Sequence, residues 1–236
     1  MDLSSHHFHT YTLGMANQNN FETNSEEIRL FPLGLVLLPS APLSLRIFEK
    51  RYKLMISECL DYGYNFGVLL IKTGTEVGGG AKPHSVGTLA RILDWNRQDN
   101  GNYHIYAQGT KRFRLEQITQ EKPYMMGKIS YIYDMQENID GQLLSNCRDL
   151  MRELDSLVSN ITGEWESSQH ISTNPTDLSY AIAASVGRPP LVAQYLLQIP
   201  TTQERLERSL PILQEQIKLI RTKLAKNPRF QRYNLN

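Results

Sequence analysis

The stretch FPLGLVLLPSAPLSLRIFEKRY, residues 31–52, determines how the first half of this chain folds. It is long and apolar, yet it contains three prolines and ends in a cluster of charged residues. Leu43, Leu45 and Ile47 alternate with Ser44 and Arg46, a period of two that is typical of a strand with one buried face. The prolines restrict the backbone before this strand and favour a bent edge segment there.

The pattern changes directly after this strand. Tyr52, Met55, Cys59 and Tyr62 recur at spacings of three and four, which predicts one helix that ends at Gly63. The stretch is therefore interpreted as the connection between a strand and a helix that covers a barrel.

Two other interpretations of the stretch are weighed against this one. Pro39-Ser40-Ala41 resembles the setting of a nucleophile, but a proline–serine pair is more typical of a turn. Arg46, Glu49 and Arg51 form either an ion-pair cluster that fixes the junction or the polar edge of a ligand groove. We favour the structural cluster, because partly buried charges are normally paired and a carboxylate at a helix start is favoured by the helix dipole.

Several further short strands are expected before about residue 134. A tight turn is predicted at Asn100-Gly101, and Gly109 suggests a bulge or a barrel corner. Along KRFRLE, alternation places Phe113 on one face and Arg112 and Arg114 on the other. The predicted strands are FGVLLI, VGTLARILDW, NYHIYAQGTKRFRLEQI and MMGKISYIYD. Many short strands with one early helix indicate a closed, strongly bent sheet.

After Asp140 the periodicity is helical. Asn174 and Pro175 begin one predicted helix, Pro189-Pro190 open a short one, and Thr201 with Glu204 forms a capping box for the last. Pro211 is expected to kink that last helix. The first helix is predicted to bury the stripe Leu143, Cys147, Leu150, Leu154, Leu157 and Ile161. The fold class is therefore α+β, with a β-rich half and a helical bundle docked on it.

Composition excludes several classes of protein. A net charge of +1 gives no overall attraction to nucleic acid or anionic lipid. No apolar run approaches the roughly 20 residues of a membrane helix, and no secretory signal is recognisable, so we expect no membrane partner. Cys59 and Cys147 are expected to be buried, reduced thiols of a cytoplasmic protein. Residues 1–27 are expected to be a disordered tail, and residues 1–14 to derive from an upstream start codon before Met15.

No catalytic motif was found in the sequence. The glycine-rich stretch GTEVGGGAKPH lacks the lysine and hydroxyl that follow a phosphate-binding loop, and is interpreted as a loop between strands. His6, His7 and His9 lie in the predicted tail, which offers no fixed geometry for a metal. His84 and His104 have no evident Ser or Cys partner. We therefore expect no cofactor, no metal and no catalytic residue.

Several ordered motifs resemble a known family. RLFPLGLVLLPSAPLSLRIFEKRY, FGVLLI, VGTLARI, GTKRFRLEQI and QYLLQIPTTQERLERSLPIL are similar to the N-terminal domain of the ATP-dependent protease Lon, and still more to free-standing Lon-domain proteins of bacteria. The likeness extends from about residue 28 to residue 226. It implies a PUA-like β pseudo-barrel over residues 28–135 and a helical bundle over residues 140–228.

The resemblance also shapes the expected function. In Lon an ATPase module and a Ser-Lys protease domain follow this region, whereas the present sequence ends at Asn236, so we expect no enzyme activity. The resemblance implies a module that binds unfolded or extended polypeptide, as an adaptor or regulator of a protease machine; the oligomeric state stays open. The predicted contact residues are Arg46, Arg51, Tyr52, Trp95, Tyr103 and Arg112.

The alternative function is RNA binding, because PUA-like barrels often bind RNA. Its sequence support is the pair Arg112 and Arg114 on one strand face, a weak basic patch with Glu116 beyond it. Polypeptide is the favoured partner, and RNA is the less favoured one.

Overall fold

The computed structural model describes residues 25–135, 137–162 and 171–226. The β-rich half comes first and the helical half second, which confirms the α+β class. The elements are β1 (Glu26–Leu33), β2 (Pro42–Ile47), α1 (Lys50–Tyr62), β3 (Phe66–Thr73), β4 (Lys82–Pro83), β5 (Val86–Arg97), β6 (Tyr103–Gln120), β7 (Met125–Ile132), α2 (Gly141–Thr162), α3 (Pro175–Val186), α4 (Pro190–Gln198) and α5 (Thr202–Ala225).

The sheet closes into a pseudo-barrel. Its strand order is β1-β7-β6-β5-β3-β4, and β1 also pairs with β3, so five strands form a ring. The β1–β3 pairing is parallel, whereas the other pairings are antiparallel. Strand β2 lies outside the ring and pairs with the first part of β6. The closure removes most of the open strand edges that a flat sheet would expose.

The stretch that connects β1 to α1 folds as its pattern predicts. Leu43 and Ile47 of β2 are buried, while Ser44 and Arg46 are exposed. Helix α1 buries Tyr52, Met55, Ile56 and Cys59. It ends at Gly63, which has the left-handed φ of 69° that glycine adopts without strain.

The predicted hairpin turn and bulge are both present. Gly101 has a φ of 74°, and the Gln98 amide donates to the Asn102 carbonyl across the turn at 2.8 Å. The register between β5 and β6 shifts opposite Gly109, between Thr88 and Ala90. Such a shift increases the local bend of the strands and helps the sheet to close.

The helical half packs on the barrel through a shared core. Asn174 caps α3 by accepting from the Thr176 and Asp177 amides, and the Thr201 hydroxyl accepts from the Glu204 amide at 3.2 Å. The α2 stripe is shifted from the predicted one, because Met151 is buried and Ile161 is 49% exposed. The bundle core also contains Leu38 and Val86 from the barrel half.

Both cysteines are free and buried, Cys59 in α1 and Cys147 in α2. Burial disfavours the thiolate, and it raises the pKa of Cys59 to about 12 and that of Cys147 to about 11. Neither thiol is therefore ionised at neutral pH.

Two residues that the sequence prediction assigned to the tail belong to a strand. Glu26 and Glu27 belong to β1 and pair with Ile129 and Lys128 of β7. The predictions on residues 1–24, including His6, His7, His9 and the start at Met15, lie outside the described residues.

Candidate functional site

The barrel half contains a groove of about 860 Å³. One side is the start of α1, with Arg51 and Tyr52, and the other is the second part of β6, residues 115–118. The glycine-rich loop and β4, residues 78–83, form its rim. Two of the residues predicted from the sequence, Arg51 and Tyr52, are thereby brought together in one concave site.

An ion pair holds the glycine-rich loop over the start of α1. Arg51 Nε donates to Glu49 Oε2 at 3.1 Å, and Arg51 Nη2 donates to the Glu76 carbonyl at 2.8 Å. The Gly78 amide donates to Glu49 Oε2 at 3.4 Å. The Glu49 carboxylate thus binds the loop and Arg51, and it makes no side-chain cap to its own helix.

Tyr52 forms an aromatic floor beside this pair. Its ring stacks on Phe31 at a centroid distance of 3.9 Å. The Arg51 guanidinium lies 4.3 Å from the centroid of the Tyr52 ring. Tyr52 is buried, and burial raises the pKa of its hydroxyl to about 12. The phenol stays neutral, so the groove floor is aromatic and uncharged at physiological pH.

Arg46 does not belong to this cluster, which corrects the sequence prediction. It is exposed on β2 and pairs in register with His104 of β6. The period-two alternation that buries Leu43 and Ile47 directs Arg46 away from the barrel, whereas Glu49 and Arg51 belong to the start of the helix. The junction cluster therefore consists of Glu49, Arg51 and the loop backbone.

The groove also contains an open strand edge. The last contact of β6 with the β5 side is the Leu115 amide, which donates to the Ser85 carbonyl at 2.7 Å. Beyond it, residues 116–120 pair with β7 alone among the described parts of the chain. Within the described ranges no strand pairs with the other edge of this segment, and such an edge can accept an added strand.

The side chains along the groove combine apolar surface with both signs of charge. Leu115 and Ile118 line it from β6, and Ile118 is 39% exposed. Lys82 and Lys122 are balanced by Glu116 and Glu121 in the lining. Arg51, the third cation of the lining, is paired with Glu49. This balance favours contacts to backbone and apolar side chains over the selection of a strongly charged ligand.

Trp95 and Tyr103 lie at a different place. Their rings are 6.0 Å apart on the β5–β6 hairpin, where Trp95 is half exposed and Tyr103 is buried. Neither residue lines the groove around Tyr52. The structure thus separates the predicted contact residues into a groove and a hairpin surface.

Arg112 is not a surface residue, which is a second correction. Its Nη1 donates to the carbonyls of Leu197 at 2.8 Å and Ile199 at 2.7 Å, and its Nη2 lies 3.1 Å from Asp134 Oδ1. Helix α4 and the residue that follows it cover this face of β6. Desolvation lowers the pKa of Arg112 from its usual value. The basic patch predicted for RNA therefore loses one of its two arginines.

The structure places Ser40 in a turn. Its φ is 64°, and its amide donates to the Gly109 carbonyl at 2.9 Å. Within the described ranges, no three His, Cys, Asp or Glu side chains are grouped closely enough to hold a metal ion. No described helix combines the length and the hydropathy that a bilayer crossing requires.

We expect Glu49→Ala and Arg51→Ala each to lower the free energy of unfolding by about 1 kcal/mol, because each leaves a partly buried polar partner without compensation. The double variant should cost less than the sum, since both residues act in one contact. Arg46→Ala is the matched control and should change stability by less than about 0.5 kcal/mol. Urea denaturation of the four proteins measures this, and an Arg46→Ala cost equal to that of Glu49→Ala would contradict the assignment.

Comparison with known proteins agrees with this architecture. The family model of the ATP-dependent protease La (LON) substrate-binding domain matches residues 27–215. Among curated proteins, Lon protease 2 of Myxococcus xanthus is 25% identical over 207 residues, which are 86% of this chain and 25% of that protein. Lon protease of Parabacteroides distasonis is 27% identical over 213 residues, which are 86% of this chain and 26% of that protein. The chain spans about a quarter of the length of these curated relatives.

Two solved structures share the fold. The Lon N-terminal domain protein from Xanthomonas campestris superposes with a TM-score of 0.62 at 26% identity, covering 79% of this chain and 98% of that one. The N-terminal domain of Mycobacterium avium complex Lon protease gives a TM-score of 0.60 at 12% identity, covering 80% and 98%. With the family match over most of its length, the chain belongs to the family of the ATP-dependent protease La (LON) substrate-binding domain.

Proposed function

We propose that this chain is a non-catalytic module that binds extended or unfolded polypeptide in the groove between α1 and β6. The observation that carries the proposal is the open edge of β6 at residues 116–120, of which residues 116–118 line the 860 Å³ groove. A polypeptide that adds a strand there gains backbone hydrogen bonds whatever its sequence. This property suits a module that handles many different clients.

The groove also supports a contribution from side chains. Ile118, Leu115 and the buried ring of Tyr52 offer apolar and aromatic surface next to the open edge. Alternate side chains of an added strand point toward the same face, so every second residue of the client meets this surface. The preferred client is an extended segment with apolar residues at alternate positions.

The proposed cellular role is that of an adaptor or regulator that presents polypeptides to a protease machine. The family membership supports this role, since the shared domain is described as the substrate-binding part of the protease. We place it in the cytoplasm because both thiols are buried and unpaired, as reducing compartments allow. RNA is the less favoured partner, because Arg112 is buried and cannot contact a phosphate at the surface.

The binding proposal is tested with fluorescein-labelled β-casein, an unfolded polypeptide, by fluorescence anisotropy. Ile118→Glu places a charge beside the open edge and should weaken binding at least about tenfold, a loss of about 1.4 kcal/mol. Leu219→Glu is the matched control, because Leu219 is a 52% exposed apolar residue of α5 outside the groove lining. Equal affinities of the two variants, with unchanged melting temperatures, would contradict the proposal.

The same titration distinguishes RNA from polypeptide. The affinity of an RNA-binding protein falls steeply with salt because phosphate contacts release counterions. Casein binding through backbone and apolar contacts should change less than about threefold between 50 and 200 mM salt. Tight, steeply salt-dependent binding of labelled oligouridylate, with no casein binding, would favour RNA instead.

A further inference from the structure

Strand β5 has an open edge of its own, away from the groove. On its β3 side it pairs only through Thr88, Leu89 and Ala90, because β3 begins at Phe66 opposite Ala90. From Arg91 to Arg97, β5 pairs with β6 on one side, and no described strand occupies the other. The loop before Phe66, residues 63–65, borders this side of β5, but it forms no strand pairing with β5 in the described ranges.

A bulge concentrates apolar side chains beside this edge. Ile92 pairs with Ala107, and Trp95 pairs with Ile105. Ile92 and Trp95 are three positions apart along β5 and their partners are two positions apart along β6, so β5 contains one extra residue. Because Ala107 and Ile105 share one face of β6, Ile92 and Trp95 also share a face, and Leu93 is the extra residue of the bulge.

The edge borders a small cavity of its own. Its volume is about 260 Å³, and it lies between β5 and the end of α1, with Leu60, Tyr64, Leu93 and Trp95 in its lining. Leu93 is 48% exposed and Trp95 is 49% exposed. A cavity lined by large apolar side chains beside a strand edge can bind alternate side chains of an added strand, and such pockets give strand addition its specificity.

The charges at the edge define what fits it. Arg91 and Arg97 stand at its two ends, and neither forms an ion pair with any residue that the structure describes. Between them, Asp94 Oδ1 accepts from the Trp95 amide at 2.8 Å. A strand with acidic residues at both ends therefore complements this edge.

The same charges disfavour a second copy of the chain. Antiparallel self-pairing with the full overlap of residues 91–97 would put Asp94 opposite Asp94 and Arg91 opposite Arg97. Like charges placed directly across two strands are destabilising. The charge pattern thus acts against edge-to-edge dimers and favours a different strand.

We propose that the β5 edge from Arg91 to Arg97 is a second polypeptide-binding surface. It adds an extended segment in which apolar residues that contact Leu93 and Trp95 are flanked on both sides by acidic residues. This surface is separate from the groove at Tyr52, so a client can be bound at two points. Trp95 is one of the contact residues predicted from the sequence, and the open edge supplies the backbone partner that this role needs.

The first test uses the backbone of the ligand. The probe is a fluorescein-labelled peptide with a Val-Phe-Val core and two glutamates at each end, titrated against the full chain. Two further peptides carry N-methyl groups on alternate amides, one on the odd set and one on the even set. Strand addition uses one edge of the peptide, so one methylated peptide should lose at least about tenfold in affinity and the other should bind like the parent. Equal binding of both would overturn strand addition.

The second test uses the protein. Trp95→Ala should weaken binding of this peptide at least about tenfold, whereas Tyr106→Ala should leave it unchanged. Tyr106 is the matched control because it is 48% exposed on the opposite face of the same hairpin. The double variant Arg91→Glu/Arg97→Glu should bind the glutamate-flanked peptide more weakly and a lysine-flanked version more tightly.

Three outcomes would overturn the inference. Loss of peptide binding in Ile118→Glu but not in Trp95→Ala would assign the peptide to the groove, leaving the proposed function intact. Concentration-dependent dimers that disappear in Trp95→Ala would assign the edge to a second copy of the chain. Binding of oligouridylate, but not of the peptide, that depends on Trp95 would assign the surface to nucleic acid.

Discussion

Asp134→Ala is expected to lower the free energy of unfolding by about 3–5 kcal/mol, because it removes the carboxylate that two buried arginines share. Asp134 Oδ1 is paired with both Arg112 and Arg205, whose side chains are 1% and 0% exposed. Its Oδ2 accepts from the Tyr180 hydroxyl at 2.7 Å. Without Asp134, two guanidinium groups stay buried and lose the carboxylate that pairs with both of them.

This network joins the two halves of the molecule. Arg112 belongs to β6 of the barrel, Arg205 and Tyr180 belong to α5 and α3 of the bundle, and Asp134 lies on the segment between β7 and α2. Arg205 Nη1 also donates to the Ser179 hydroxyl at 2.7 Å, and its guanidinium lies 4.0 Å from the Tyr180 ring centroid. The loss should therefore weaken docking of the bundle as well as overall stability.

Urea denaturation measures the change, and hydrogen exchange shows where it acts. The control is Asp149→Ala, which removes an exposed pair with Arg152 in which both side chains are 64% exposed, and should cost less than about 0.5 kcal/mol. Increased exchange in α4 and at residue 112 is expected only for Asp134→Ala. If the two variants are equally stable, the pairing is not what holds the bundle to the barrel.

Much of the fold could be predicted because local patterns and local chemistry agree. In β2 one face meets the barrel core and the other meets solvent, so alternation alone indicates the strand. Helix α1 ends at the glycine that the left-handed cap requires, and Asn174 caps α3 as its position before Pro175 predicts. These features depend on residues within a few positions of one another.

Arg112 shows where such reasoning fails. Alternation placed Phe113 in the core and Arg112 outside, and Phe113 is indeed buried. Arg112 is also buried, because a helix more than 80 positions later covers the outer face of β6, as the contact to Leu197 shows. Alternation of apolar and polar residues shows that the two faces of a strand differ. It does not show whether a distant part of the chain also buries the polar face.

The candidate site was predictable only in part. Arg51 and Tyr52 were identified because charge and aromatic residues concentrate at the start of one helix, which is visible in the sequence. The two open edges could not be predicted, because an edge is open only where the neighbouring strand stops. The β6 edge is open because β5 extends no further than Val86, and the β5 edge is open because β3 extends no further than Phe66. That property is set by pairing between distant segments. It therefore has no signature in the amino-acid sequence of the strand itself.

Gly109→Ala is the second substitution with a large expected effect, a loss of about 3 kcal/mol in the free energy of unfolding. A Cβ on residue 109 would overlap the carbonyl oxygen of Leu38 and lie 3.1 Å from Leu37 Cγ. The Gly109 amide donates to the Ala41 carbonyl at 2.9 Å, so the two backbones are also held together by a hydrogen bond. Forcing a methyl group into such a contact costs about 1–3 kcal/mol, and more where the neighbour cannot move.

The neighbour at Gly109 cannot move, because the stretch from β1 to β2 is fixed in two cores at once. Leu37 is buried in the barrel core and Leu38 in the bundle core, so a shift away from residue 109 disturbs both. Gly141→Ala is the matched control, since nothing lies within 4 Å of a Cβ at this first residue of α2, and its stability should change by less than about 0.5 kcal/mol. Thermal and urea unfolding of both variants give the comparison. A Gly109→Ala protein as stable as Gly141→Ala would mean that the segment before β2 moves freely, and that it does not link the barrel to the bundle.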